Sequence, residues 1–168
     1  MPQYSLQQIE IITSGKLYGN RNCLINTLET DSRKVTVSTG SLFIAIKGER
    51  HDGHQFIHEL YKNGVKNFIV EELPAIVKNQ DDLNCIVVQN SVIALQQLAS
   101  YYRHELKIPV IGITGSNGNT VVKEWLFQCL SANHIVSRSP KSYNSQIGVP
   151  LSVWMLKPDS DCAIIEAG

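Results

Sequence analysis

Between residues 109 and 125 the chain reads Pro-Val-Ile-Gly-Ile-Thr-Gly-Ser-Asn-Gly-Asn-Thr-Val-Val-Lys-Glu-Trp: an apolar run, a glycine-rich turn and a helix-forming stretch. This order is the build of a phosphate-binding loop. Gly115 and Gly118 allow a tight turn around an anion. The unpaired N–H groups at the start of the following helix then point at phosphate oxygens. Thr120 offers a hydroxyl to a magnesium ion, and a lysine just before it would neutralise the outer phosphates. The chain has Asn119 there, which donates a hydrogen bond but carries no charge. A strict G-x-x-x-x-G-K-[ST] pattern fails at Ile113 and at Asn119. On these residues alone, a strand-turn-helix corner with an Asn-Gly turn stands beside the nucleotide loop as an equal reading.

Two other groups of residues have chemistry to offer. Asp31-Ser-Arg33 reads as a polar turn with a surface arginine. An arginine can also hold a diphosphate through paired hydrogen bonds, and a serine can reach a sugar or phosphate oxygen. His51 and His54 flank Asp52-Gly53. They have the residue type of a metal pair, but a turn capping the next helix is the simpler reading. Glu166 stands at the tip of the last apolar run, Asp161-Cys-Ala-Ile-Ile-Glu-Ala-Gly168.

The elements that must position these residues follow from periodicity. Ser5-Leu-Gln-Gln8 reads as a capping box opening a short helix that Gly15 ends. Strands are expected around 24–28 and 41–46, a helix over 54–63 closed by Gly64, and strands at 67–70 and 85–88. Ser91 is expected to cap a helix that stops before Pro109. Strand 109–114, the glycine loop, helix 120–131, strand 134–138, helix 147–156 and strand 162–166 complete the order. Such alternation predicts an α/β fold with parallel sheets, whose active edge lies at the C-terminal ends of the strands. Thr114-Gly115 and Glu166 both fall there. Nothing in the sequence packs behind strand 162–166, so the chain reads as a fragment of a longer protein.

With 43% apolar residues, the 168-residue chain can bury an ordinary core in one domain or two small ones. Fifteen basic and fifteen acidic residues cancel, which gives no basic field for nucleic acid or anionic lipid. Cys85, Cys129 and Cys162 sit in apolar runs and, with Cys23, show no metal-type spacing. The three read as buried free thiols in a reducing cytoplasm. No signal peptide and no membrane-length apolar run is present in the sequence.

Four ordered blocks together resemble the Mur ligases of peptidoglycan precursor synthesis, and among them the MurF type. The first is Asp31-Ser-Arg33 with Gly40-Ser-Leu-Phe-Ile-Ala-Ile-Lys-Gly-Glu-Arg-His-Asp-Gly-His-Gln-Phe56. The second is Ile113-Thr-Gly-Ser-Asn-Gly-Asn-Thr120, the third Ser142-Tyr-Asn-Ser-Gln-Ile-Gly-Val-Pro150, and the fourth Ile165-Glu-Ala-Gly168. The resemblance implies a small N-terminal α/β domain over residues 1–88, where Asp31, Ser32, Arg33, Lys47 and Gly48 hold a UDP-sugar. It implies that residues 89–168 begin a parallel-sheet ATPase domain, with ATP on Gly115, Ser116, Asn117, Gly118, Asn119, Thr120 and Asn144. Magnesium would rest on Thr120 and Glu166, and Asn119 and Glu166 would carry the catalytic positions. The implied reaction joins D-alanyl-D-alanine to a UDP-N-acetylmuramoyl tripeptide through an acyl phosphate made from ATP. The third block is also similar to the ligase half of fusions with an alanine racemase.

In the family the loop lysine precedes the threonine, and a second lysine commonly stands where this chain has Lys123. A helical residue at that position leans back toward the helix start. The competing expectation is a ligase-like module that binds without catalysing, and Asn119 is the residue that separates the two. An unrelated nucleotide-binding regulator is a third reading, from which the Asp31 and Gly40 blocks separate the others.

Overall fold

The computed structural model describes residues 2–48, 51–140 and 143–168, with 78 and 79 described by backbone only. Two compact units, 2–97 and 98–168, make up the chain.

In the first unit β1 (Tyr4–Ser5) pairs antiparallel with β3 (Leu24–Ile25). The Ser5 hydroxyl accepts from the Gln8 N–H while the Gln8 side chain accepts from the Ser5 N–H, and this reciprocal cap starts α1 (Leu6–Thr13). Ser14, rather than Gly15, takes the left-handed conformation that ends the helix, with φ 51°. Gly15 is small for a different reason, since a Cβ there would lie 2.6 Å from Ile86 Cγ2.

Five strands form the main sheet in the order β2 (Lys16–Tyr18), β7 (Asn84–Val87), β6 (Asn67–Val70), β5 (Ser41–Ile44), β4 (Thr27–Glu29). All neighbours are parallel except the β2–β7 edge. The single strand expected at 24–28 is two, and β3 and β4 belong to different sheets. Register aligns Phe43, Phe68 and Cys85 across three strands, and the two rings meet edge to face at 6.3 Å. This face packs with Ile57 and Leu60 of α2 (Ile57–Lys62) and with Val65. Leu42, Ile44, Ile69 and Ile86 on the other face are equally buried, as a parallel sheet requires.

The cap of α3 (Ser91–Glu105) is Asn90, not Ser91: the Asn90 carboxamide oxygen accepts from the Ile93 N–H at 2.9 Å. Ser91 instead donates its own N–H to Glu71. Of the three thiols expected to be buried, only Cys85 is, and burial pushes its pKa up to about 12. Cys129 is exposed and Cys162 half-buried, because an apolar run marks an element without telling which of its faces is covered.

In the second unit three parallel strands run in the order β8 (Val110–Ile113), β10 (Cys162–Glu166), β9 (Val136–Arg138). The strand expected to have nothing behind it is therefore the middle one, with Ala163, Ile164 and Ile165 buried. The crossover through α4 (Asn119–Ser131) leaves a place between β8 and β9, and β10 fills it after α5 (Gly148–Trp154). Tyr102 closes this core: its ring lies 5.9 Å from Trp154 and its hydroxyl donates to the Leu156 carbonyl. No helix among the described residues is long and apolar enough to cross a membrane.

Candidate functional site

Register places Glu166 of β10 beside Ile113 of β8, the residue from which the glycine loop springs. The loop, 114–118, is exposed throughout, with Ser116 and Asn117 in its middle. Gly118 has φ 78°, a conformation that favours glycine, and it is the residue from which α4 starts. Among the described residues no side-chain hydrogen bond caps that helix start, the arrangement an anion at a helix N-terminus needs. Gly115 lies against the end of the Asn119 side chain. A Cβ there would meet Asn119 Oδ1 at 2.9 Å, and Asn119 Nδ2 donates to the Gly115 carbonyl at 2.6 Å. Asn119 thus folds back across the loop.

Beneath the loop lies a cluster centred on Glu166. The Thr120 hydroxyl sits 2.9 and 3.0 Å from its two carboxylate oxygens, Asn144 Nδ2 donates to Oε1 at 3.3 Å, and Lys123 Nζ donates to Oε2 at 3.0 Å. The Glu166 N–H donates to the Ser139 hydroxyl, and the Gly168 N–H to the Asn144 carbonyl. The Lys123 side chain is 0% exposed and that of Glu166 3%. Burial is the largest influence on the Glu166 carboxyl and favours its neutral form. The Lys123 ammonium, the Thr120 hydroxyl and Asn144 together outweigh it and hold the pKa below the usual value.

The structure thus brings Thr120, Asn144 and Glu166 together as the sequence suggests, and adds Lys123 and Ser139. Lys123 is three residues beyond Thr120 and so shares its helix face, a signal the sequence carried. Ser139 follows β9 and carried none. Ser142 of the third block lies outside the described residues, whereas Ser145 accepts from the Gly148 N–H at the start of α5. Gly148 itself is required by close approach, since a Cβ would lie 2.7 Å from the Tyr143 backbone.

The Asp31 turn lines a different place, a cavity of about 380 Å³ in the first unit, opposite Phe43, Ile46, His51 and Phe56. Arg33 Nε and Nη2 donate to the two Asp31 carboxylate oxygens at 2.9 Å each. Hydrogen bonds from the Arg33 side chain are the main reason the Asp31 carboxyl is lowered to about 2. Ser32 lies beside them on the cavity wall. Lys47 and Gly48 are placed otherwise. Lys47 faces a neighbouring cavity of about 230 Å³ with Asp52, His54 and Glu71, and Gly48 donates its N–H to the His51 carbonyl in a turn.

The Asp52 carboxylate accepts from the His54 N–H and lies 2.6 Å from His54 Nδ1. His54 Nε2 accepts from the Glu71 N–H at 2.9 Å, which leaves the ring proton on Nδ1. Nδ1 thus serves the turn, as the simpler sequence reading has it, and Nε2 ties the turn to the chain just after β6. Among the described residues no group of three His, Cys, Asp or Glu side chains is arranged to hold a metal ion.

The fold and these sites define a class. The profile described as "Mur ligase family, catalytic domain" matches residues 24–114, more than half of the sequence, and the chain belongs to that family. Its similarity narrows to one type. The chain is 36% identical over 169 residues to the UDP-N-acetylmuramoyl-tripeptide--D-alanyl-D-alanine ligase of Buchnera aphidicola, with 100% of the chain and 35% of the relative covered. It superposes on the crystal structure of MurF from Acinetobacter baumannii with a TM-score of 0.88 at 30% identity, covering 100% of this chain and 36% of that one. MurF ligase from Thermotoga maritima in complex with ADP gives a TM-score of 0.71 at 32% identity, with 84% and 31% covered. The chain spans about a third of the length of the curated relatives it matches.

Proposed function

We propose that this chain supplies the UDP-precursor domain, residues 1–88, and the start of the ATP-binding domain, residues 89–168, of a ligase of peptidoglycan precursor synthesis. That ligase joins D-alanyl-D-alanine to UDP-N-acetylmuramoyl tripeptide by way of an acyl phosphate. The observation that carries the reading is the cluster under the glycine loop: Thr120 from the first turn of α4 and Glu166 from the neighbouring strand end share one hydrogen-bonded site. Two hard oxygen donors, one of them held ionised, fit magnesium. Thr120 and Glu166 would hold the ion, which when bound neutralises phosphate charge.

This chain's own residues bind and orient. The α4 N–H groups and Gly118 receive the phosphates, Asn144 steadies Glu166, and the wall of the Asp31 cavity receives the uridine diphosphate end of the precursor. Arg33 reaches a diphosphate by exchanging its Asp31 partner, with Ser32 beside it. Lys47 and Gly48, at the next cavity and its turn, contribute to the edge of that site. The four free thiols fit a reducing cytoplasm.

One observation favours a second reading. Asn119 carries no charge and is turned onto Gly115, as suits a ligase-like module that binds precursor, as in a racemase fusion, without turning over ATP. A phosphate-release assay on the polypeptide that carries this chain decides between the two. Release that requires ATP, UDP-precursor and D-alanyl-D-alanine together is expected. Precursor binding with no release would put the binding module in its place.

A further inference from the structure

We propose that His54 is a positioning residue of the Asp31 cavity: by tying the 51–56 turn to the chain at the end of β6, it holds one wall of the site in the shape that receives a uridine diphosphate. The proposal rests on the precursor-binding reading above and deepens it.

The two walls of the cavity are held differently. Asp31, Ser32 and Arg33 form one, fixed from within by the Asp31–Arg33 pair. His51, Gly53 and Phe56 form the other, and Phe43 and Ile46 complete the lining. Most hydrogen bonds of this second wall are local. Lys47 and Asp52 form an isolated bridge, the Gly53 N–H donates to the Ile46 carbonyl at 2.9 Å, and the Gly48 N–H donates to the His51 carbonyl at 2.8 Å. Among the described residues one hydrogen bond carries the turn to a distant part of the chain: the Glu71 N–H donates to His54 Nε2 at 2.9 Å.

The ring that makes this tie is itself oriented. Asp52, held below the usual carboxylate range first of all by the His54 N–H, lies 2.6 Å from Nδ1 and keeps the ring proton there. Nε2 is then the acceptor. Glu71 directly follows β6, the middle strand of five and buried along its whole length. The Glu71 carboxylate accepts in turn from the Ser91 N–H at the start of α3, 2.9 Å away. The turn is thus moored to the most enclosed strand of the sheet. The His54 side chain faces the neighbouring cavity and is only 19% exposed, so water does not fully replace a lost bond.

A ligand that needs the wall formed binds in proportion to the fraction of molecules in which it is formed. Cutting the tie leaves the local bonds of the turn in place but frees its position, so affinity falls while the fold remains. His54 acts through the turn and need not touch the ligand.

The test is calorimetric titration of the chain with UDP, alongside hydrogen exchange at the Glu71 amide, which reports the tie itself. His54→Leu is expected to lose Glu71 protection and to bind UDP about tenfold more weakly. His54→Gln, whose side-chain oxygen reaches the place of Nε2, is expected to keep the protection and to bind within about threefold of the unaltered chain. Circular dichroism checks folding. If His54→Leu does not fold, His54→Asn, which is polar but too short to reach Glu71, takes its place. Affinity is expected to follow Glu71 protection across the variants, and a variant in which the two part company would overturn the proposal. Equal affinity in the unaltered chain and His54→Leu would also overturn it, while leaving the precursor reading intact. An unaltered chain that binds no UDP would overturn both.

Discussion

Two ion pairs of nearly equal length sit at the two sites. Arg33 meets Asp31 at 2.9 Å and Lys123 meets Glu166 at 3.0 Å. Their surroundings are opposite. The Arg33 and Asp31 side chains are 85% and 30% exposed, whereas those of Lys123 and Glu166 are 0% and 3% exposed. An exposed pair gains little from its attraction, so its arginine can change partners at small cost when a ligand phosphate arrives. A buried pair has no such freedom, because removing one partner leaves a charge with neither water nor counterion. Under the proposed function the first pair is held in reserve for recognition, whereas the second is part of the fold on which a loop is mounted.

Removing half of the buried pair is expected to have the largest effect. Lys123→Ala or Glu166→Ala is expected to lower the stability of the second unit by about 3–5 kcal/mol, read by urea denaturation. A change no larger than that of an ordinary surface substitution would show that water reaches the pair. Next in size is Asn119→Lys, which restores a charge-assisted contact of about 1.5–3 kcal/mol with phosphate. Tripolyphosphate should bind at least about tenfold more tightly to that variant in calorimetry. Unchanged affinity would show that position 119 does not meet the phosphate. A structural control lies between the extremes. Asn90→Ala removes the cap of α3 and should cost about 1 kcal/mol, seen as a lowered thermal midpoint, with neither ligand site disturbed.

The smallest effects belong to the exposed pair. Asp31 has its folded pKa depressed to about 2 from an ordinary value of 3.8. A depressed carboxyl contributes stability that is fully present above its unfolded value and is lost as pH falls through the folded one. That window, roughly pH 4 down to 2, is where the contribution of the pair should fade, and it should be flat from pH 5 to 8. Arg33→Ala is accordingly expected to leave the thermal midpoint at pH 7 where it was. A large drop would mean that the pair holds the turn together.

How far the sequence foretold these sites depends on what each site is made of. The glycine loop and the register-matched glutamate could be read because strand, turn and helix each carry a local pattern, and the parallel α/β order then fixes which edge they share. Asp52 and His54 read correctly as a turn for the same reason. Lys123 was visible as a lysine one turn into the helix and leaning toward its start, but its burial was not, since burial of a charge depends on a partner 43 residues away. Short strands such as Tyr4–Ser5 and Lys16–Tyr18 left no periodicity to detect. Cys129 misled because an apolar run cannot say which side of its helix meets a neighbour. The Asp31 cavity needed side chains from four separate stretches between residues 30 and 56, and no spacing rule joins Phe43 and Phe56 to Asp31.

If the exposed pair and its cavity form the UDP-precursor site, titration of the chain with UDP-N-acetylmuramoyl tripeptide will show it. Saturable binding by the unaltered chain is expected, with affinity lowered about tenfold in Arg33→Ala and less in Ser32→Ala, while the thermal midpoint of both variants stays unchanged. Equal affinity in all three proteins, or no binding by the unaltered chain, would contradict it.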